Sequence, residues 1–265
     1  MPLILYGENN CLKVVQYLAK NCSNSQPYFQ MKYKYISLLI ILVFSCKEEV
    51  SIKKLEPSKY RAELKVNDTL NLPFVFEVVS ENELRIFNAE EIIEVNNVIY
   101  KNDSVYIQTP VFEGYIVAKI EDGALRGSFI KESLNRVMDF SAKKNDTRFD
   151  AVDSISRYNI EGGWEAVFSP NSEEDKYIAK GIFKQYANKV TGTFRTTTGD
   201  YRYLEGVLNG NQLQLSTFDG AHAFLFTAKV NDSTMTGMFY SGNHWKEPFV
   251  AKRNDDYELP DANTR

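Results

Sequence analysis

The polar residues best suited to chemistry in this 265-residue chain lie near its carboxyl-terminal end. They are Asp200, Arg202, Asp219, His222, His244, Trp245 and Glu247. Carboxylate, guanidinium, imidazole and indole groups in this mixture can bind a small polar or peptide ligand if the fold brings them to one mouth of a barrel. The alternative is structural, because Asp200 and Asp219 each stand beside a glycine, as residues of tight turns do. Arg202 would then pair with Glu205 on a strand surface.

Other chemistries are disfavoured by residue spacing. His222 and His244 show neither an H-x-H nor an H-x-x-x-H pattern, so the sequence does not favour a zinc site. Ser216 and Ser241 lack the G-x-S-x-G context of a hydrolase nucleophile. The three cysteines do not form a C-x-x-C motif. We therefore expect no catalytic residue, no metal and no cofactor.

The elements that must position these residues are predicted to be strands. Val, Ile, Thr, Tyr and Phe dominate the later part of the chain, whereas runs of apolar residues at helical spacing are scarce. A hydrophobic content of 43% is ample for a sizeable core. The net charge of -4, with Lys and Arg scattered singly, argues against nucleic acid as a partner.

An internal repeat of about 105 residues organises the chain after residue 58. Its anchors are Phe87 with Phe194, Gly114 with Gly220, Ala118 with Ala228, Gly127 with Gly237, and Ala142 with Ala251. The second copy reads as eight strands, at 163–168, 177–185, 189–196, 201–208, 212–218, 222–230, 234–240 and 247–253. Short turns such as Asn209-Gly210 indicate antiparallel pairing of successive strands.

The predicted fold class is all-β. Eight meandering strands in about a hundred residues suggest a small up-and-down barrel, so we expect two tandem lipocalin-like barrels. One larger barrel formed by fusing both meanders is the alternative. The expected boundaries are a first repeat at 58–147, a linker at 148–157, a second repeat at 158–254 and an exposed tail at 255–265.

The amino-terminal part predicts a lipid anchor. Lys32 and Lys34 precede an apolar run at 36–44, which is the length of a signal-peptide core. The run ends at Ser45-Cys46, similar to a bacterial lipoprotein signal in which the cysteine is acylated. We expect an upstream extension at 1–30, a signal peptide at 31–45, lipidation at Cys46 and a tether at 46–57. A transmembrane anchor or a buried apolar strand is the alternative for the apolar run.

The expected location is the cell envelope of a Gram-negative bacterium. A chain processed before Cys46 keeps only that cysteine, which carries lipid, so no disulfide can form. Lys47-Glu48-Glu49 resembles a short tag of surface lipoproteins. We expect attachment to the outer membrane, on its periplasmic face or at the cell surface.

Four segments resemble the amino-terminal region of TlpA-like thiol:disulfide reductase lipoproteins. They are 72–78, 103–112, 198–206 and 218–224, and 259–262 resembles the linker that leads out of that region. In that family a thioredoxin-fold domain with a Trp-Cys-x-x-Cys motif follows and holds the redox chemistry. No position here matches that motif, so the resemblance supplies no catalytic residue.

The resemblance implies a non-catalytic, lipid-anchored module. It would position or recognise substrate for a TlpA-like reductase domain, as a truncated gene product or as a partner that lost its enzyme. Its expected partners are the membrane, through Cys46, and a thioredoxin-fold domain or the substrate proteins of that domain. The alternative is a free-standing ligand-binding or structural lipoprotein.

Overall fold

A computed structural model describes residues 52–110, 113–152 and 154–260, and these form antiparallel strands with one short 3-10 turn at Glu132–Leu134. The first nine strands are β1 (Ser58–Lys65), β2 (Asn71–Ser80), β3 (Glu83–Asn88), β4 (Glu91–Val95), β5 (Asn97–Lys101), β6 (Ser104–Gln108), β7 (Tyr115–Glu121), β8 (Ala124–Lys131) and β9 (Arg136–Lys144). The other eight are β10 (Gly162–Phe168), β11 (Tyr177–Tyr186), β12 (Lys189–Thr196), β13 (Leu204–Asn209), β14 (Gln212–Phe218), β15 (Ala223–Val230), β16 (Thr234–Ser241) and β17 (Trp245–Arg253). The all-β prediction is confirmed.

The second repeat is a closed barrel of eight strands. Each strand pairs with the next in chain order, and β10 pairs with β17 to close the ring. The predicted strands at 189–196 and 212–218 agree residue for residue with β12 and β14. The strand predicted from 201 begins only at Leu204, because Arg202 has a φ of 63°, which breaks an extended strand.

The first repeat is a nine-stranded sheet with β4 and β5 at its two ends. In the barrel, β12 pairs with β13. In the first sheet, the equivalent strand β3 pairs instead with the added strand β4. Strand β4 therefore occupies the edge of β3 that would have to pair with β5 for the sheet to close into a ring. Because the two repeats form separate sheets within the described residues, the alternative of one fused barrel is wrong.

Most repeat anchors are equivalent in the ladders. Ala118 pairs with Gly127 in the first sheet, and Ala228 pairs with Gly237 at the matching place in the barrel. A Cβ at either glycine would overlap a carbonyl oxygen of the neighbouring strand, so both positions require glycine. The repeat is therefore structural as well as sequential over β7, β8, β15 and β16.

The anchor that matched Phe87 with Phe194 is wrong. Phe194 pairs with Gly181 and lies inside the barrel, whereas the equivalent ladder pair in the first sheet is Ile86 with Phe76. A shift of one residue moves a side chain to the opposite face of a strand. Phe87 therefore does not take the core position that Phe194 fills.

The two repeats share a hydrophobic core. The barrel interior buries Trp164 and holds six phenylalanine rings in mutual contact, namely Phe168, Phe183, Phe194, Phe226, Phe239 and Phe249. Phe218, Ala223 and Leu225 point the other way and belong to the core of the first sheet. Phe218 stacks on Phe74 at 4.3 Å between ring centroids and meets Phe129 edge-on at 5.1 Å. The hairpin of β14 and β15 thus completes the first core.

The described part of the predicted tether packs on the first sheet. Leu55 is buried in the first core, and the backbone N–H of Lys53 donates to the carbonyl of Asn102 at 2.9 Å. The predicted extension, signal peptide and Cys46 lie outside the described residues. Within the described ranges, no helix is both long enough and apolar enough to cross a bilayer.

Candidate functional site

The seven predicted site residues all lie at one end of the closed barrel. In an up-and-down barrel, every second connection falls at the same end. Asp200 and Arg202 lie between β12 and β13, Asp219 and His222 lie between β14 and β15, and His244 lies between β16 and β17. Trp245 and Glu247 lie at the start of β17. Within this end they divide into three groups, and His222 belongs to both the first and the third.

The first group is built around the carboxylate of Asp219, which is 5% exposed. Its Oδ1 accepts hydrogen bonds from the backbone N–H groups of Ala221 at 2.8 Å and His222 at 2.6 Å. Its Oδ2 lies 2.9 Å from Nδ1 of His222 and 3.3 Å from Nε of Arg202. Burial alone would raise the pKa of Asp219, but the hydrogen bonds from His222 and Ala221 lower the pKa below its usual value.

Arg202 joins this group to the first sheet. Its guanidinium pairs with the carboxylate of Glu91 on β4 as well as with Asp219. The backbone N–H of Arg202 donates to Oδ1 of Asp200 at 2.9 Å, which is a turn-forming bond. The predicted pairing of Arg202 with Glu205 is wrong, because Glu91 and Asp219 are the acidic partners of Arg202. Three of the predicted ligand-binding residues therefore hold loops and sheets together.

Arg148 lies in the predicted linker, was not among the predicted site residues, and has a side chain only 3% exposed. Its Nη1 donates to the carbonyl and to Oγ of Ser216, both at 3.0 Å, and its Nη2 donates to Oδ1 of Asn88 at 3.1 Å and to the carbonyl of Phe87. Burial lowers the pKa of Arg148 to about 10 against the opposing effect of Glu205. An arginine in a polar stretch gives no sequence pattern that would reveal this role.

Asn88 continues the junction that Arg148 begins. Its side-chain amide donates to the carbonyl of Phe218 at 2.9 Å and accepts from the N–H of the same residue at 3.1 Å. Oγ of Ser216 also donates to the carbonyl of Pro73 at 2.6 Å. The end of β14 is therefore bonded to β2 and β3 through buried polar groups, in addition to its apolar contacts.

Glu247 belongs to a second group inside the barrel end, where it is 5% exposed. Its carboxylate accepts from Oγ of Ser169 at 2.6 Å and from the hydroxyl of Tyr177 at 2.7 Å. The Tyr177 hydroxyl is also hydrogen-bonded to that of Tyr201. Burial raises the pKa of Tyr201 to about 12, and burial with the Tyr201 hydrogen bond raises the pKa of Tyr177 further. This group closes the barrel end and is not accessible to a large ligand.

The third group opens to solvent in a cleft between the first sheet and the barrel. The cleft has a volume of about 190 Å³ and is lined by Lys131 and Arg136 on one side and by His222 and His244 on the other. Burial lowers the pKa of His244, and the positive charges of Arg136 and Lys131 lower it further. Those two charges therefore act within electrostatic range of the imidazole.

A second depression of about 260 Å³ shares Gly242, Asn243 and His244 with this cleft. Trp245, 48% exposed, contributes its indole ring there beside Lys246. An exposed tryptophan next to polar groups can stack on a ligand ring. His244 and Trp245 are both exposed at the surface of this depression.

The carboxylates of Asp219 and Glu247 are held by groups of the protein itself. Glu247 is separated from the histidines by its position inside the barrel, and Asp219 is occupied by its own turn. Within residues 52–110, 113–152 and 154–260, no group of three or more His, Cys, Asp or Glu side chains lies close enough to hold a metal ion.

Comparison with known proteins adds little to this picture. No family model matches the chain, and no curated protein matches it. A solved structure from Bacteroides fragilis, named a "putative outer membrane protein", is 10% identical and covers 75% of this chain and 97% of its own. Its TM-score is 0.24, which does not bear on fold or function.

Proposed function

We propose that this protein is a non-catalytic module of the bacterial cell envelope, anchored through lipid on Cys46, that positions or recognises substrate for a TlpA-like disulfide reductase domain. The observation that carries the proposal is the shared core of the two repeats. Phe218 from the barrel fills the first core, and Arg148 bonds to strands of both sheets. A body joined in this way can hold a neighbouring domain at a fixed orientation to the membrane.

The sequence supports the non-catalytic part of the proposal. Disulfide reduction by this family needs two cysteines in a C-x-x-C motif, and the three cysteines of the chain are Cys11, Cys22 and Cys46. The purified chain should therefore not reduce insulin, yet it should change the rate at which a TlpA-like reductase reduces a protein substrate. Insulin reduction by the chain alone would contradict the proposal.

The anchoring part is tested by labelling with radioactive palmitate in a Gram-negative host. The Cys46→Ala variant should lose the label and move from the membrane fraction to the soluble fraction. The Cys22→Ala variant is the matched control and should keep both the label and the membrane location. Label that persists on Cys46→Ala would overturn the lipoprotein assignment.

Free-standing ligand binding is the second candidate function. The cleft beside His244 and the exposed ring of Trp245 favour it, because both remain open to solvent at the junction of the repeats. Ligand binding that is independent of any reductase domain would distinguish this function from the first.

A further inference from the structure

We propose that the cleft between the first sheet and the barrel is a binding site for an oxyanion group, a carboxylate or a phosphate, at the end of a small ligand. The inference deepens the recognition role proposed above and rests on it only for the biological use of the site. It is carried by the placement of charges on β8 and β9 and by their surroundings.

Two like charges face each other across the β8–β9 ladder. Lys131 and Arg136 are direct register partners in this antiparallel pair. Like charges directly opposite each other destabilise a sheet. In the part of the chain that the structure describes, neither side chain forms an ion pair with a carboxylate. Glu132, next to Lys131 in sequence, instead accepts a hydrogen bond from the hydroxyl of Tyr115 at 2.7 Å.

The positive potential of the cleft comes from Lys131 and Arg136 themselves. His244 lies on the same cleft and is held toward its neutral form by burial and by the Arg136 and Lys131 charges. Lys131 donates to the carbonyl of Ala221 at 3.2 Å, which fixes its ammonium at the cleft wall. The whole chain carries a net charge of -4, so this positive cleft is a local feature. A bound anion would relieve the repulsion between Lys131 and Arg136.

The size of the cleft limits the ligand. The cleft has a volume of about 190 Å³. Sites that enclose a whole drug-sized ligand measure about 300 to 1,000 Å³. The cleft therefore takes the charged end of a ligand. The guanidinium of Arg136 provides the planar donor pair that carboxylate and phosphate oxygens accept.

Isothermal titration calorimetry of the full chain in detergent tests the assignment, with sodium phosphate and sodium acetate as probes and chloride to keep the ionic strength constant. Heat of binding for either probe supports the oxyanion site, and the probe that binds identifies phosphate or carboxylate as the natural group. No binding of either probe beyond chloride would overturn the assignment.

Charge-matched variants locate the binding. Arg136→Gln should weaken it by at least about tenfold, as expected from loss of a charge-assisted hydrogen bond. Arg126→Gln removes the same charge from an exposed position on β8 and should leave the affinity within about twofold of the native value. Equal effects of the two variants would mean general charge attraction and would contradict a built site.

The stability of the variants provides an independent check on folding. Without anion, Arg136→Gln should melt at the same temperature as the native chain or higher, because the like-charge pair is gone. A lower melting temperature would show that Arg136 is a structural residue and would overturn the proposal. Absence of anion binding would overturn the oxyanion site only. The membrane anchoring and the effect on a reductase are measured by other experiments, so the two proposals can fail independently.

Discussion

At the scale of single residues, Arg148 decides how the two repeats are held together. Its guanidinium donates hydrogen bonds to acceptors on both β3 and β14, although Arg148 itself lies outside the strands of both sheets. Buried acceptors that lose their donor cost about 1 to 3 kcal/mol each. One side chain therefore makes a contribution comparable to that of a large core residue.

Replacing Arg148 with Met keeps most of the volume and removes the donors. We expect Arg148→Met to lower the free energy of unfolding by about 3 kcal/mol, because the buried acceptors on Ser216, Asn88 and Phe87 each lose the hydrogen bond that Arg148 donates. Urea unfolding measures this loss. Arg157→Met, at an exposed position of the same linker, is the control and should change stability by less than about 0.5 kcal/mol. Equal losses would show that Arg148 does not bridge the repeats.

The tyrosines at the barrel end predict a loss of stability at high pH. The pKa of Tyr201 is about 12 in the folded chain against an ordinary value of 10.0. Between these values the unfolded chain binds fewer protons than the folded chain, so stability should fall as the pH rises from about 10 to 12. Tyr201→Phe should make this fall shallower in urea unfolding at pH 9 to 11.

The control for this pH dependence is Tyr186→Phe. Tyr186 is 86% exposed and lies at the other end of β11 from Tyr177, so Tyr186→Phe removes a hydroxyl without changing the Glu247 group. If the decrease of the free energy of unfolding with pH is unchanged by Tyr201→Phe but reduced by Tyr186→Phe, the pH dependence does not come from Tyr201.

At the scale of elements, the β14–β15 hairpin is the piece that joins the repeats, and its tip depends on a glycine. Gly220 has a φ of +90°, and a Cβ there would overlap the side chain of Thr109. Gly220→Ala should destabilise the chain by about 2 to 4 kcal/mol through backbone strain and overpacking together. Thermal or urea unfolding measures the effect.

Gly123→Ala separates the two causes. Gly123 also has a positive φ, of +77°, but a Cβ there would meet nothing within 4 Å. Gly123→Ala should lower the free energy of unfolding by about 1 to 2 kcal/mol, because only the backbone is strained. If both alanines cost the same, the close approach of the hairpin to Thr109 does not contribute to stability.

Strands along which apolar and polar residues alternate clearly were predictable from the sequence. Strands β12 and β14 have turn residues at their ends and alternate apolar with polar positions, so their bounds were found to the residue. The added strand β4 was not found in advance, because a short run such as Glu91–Val95 does not show with which strand it pairs. The open order of the first sheet follows from that pairing.

The candidate site was predictable only in part. The barrel topology places the predicted polar residues at one end because alternate connections share an end. Sequence patterns could not show that Asp219 bonds to its own turn or that Glu247 points into the barrel, since both depend on contacts between distant residues. Lys131 and Arg136 were missed because their significance arises from the β8–β9 register.

At the scale of the whole molecule, the two repeats form the predicted two tandem barrel-like sheets, and these belong to one folded body. The described residues between 52 and 260 lie in one compact unit, and the first core is incomplete without Phe218, Ala223 and Leu225 from the barrel. Both the cleft and the Arg202–Glu91 pair lie where the repeats meet. A positioning or binding role of the kind proposed here needs this junction to stay closed.

Hydrogen exchange of the folded chain, followed by mass spectrometry, tests this central claim most directly. Peptides from β1 and β9 of the first sheet and from β10 and β17 of the barrel should open with the same free energy, because the first core is incomplete without the β14–β15 hairpin and the end of β14 is hydrogen-bonded to β2 and β3. Two distinct free energies, with the first sheet exchanging while the barrel stays protected, would show independent domains and contradict the account.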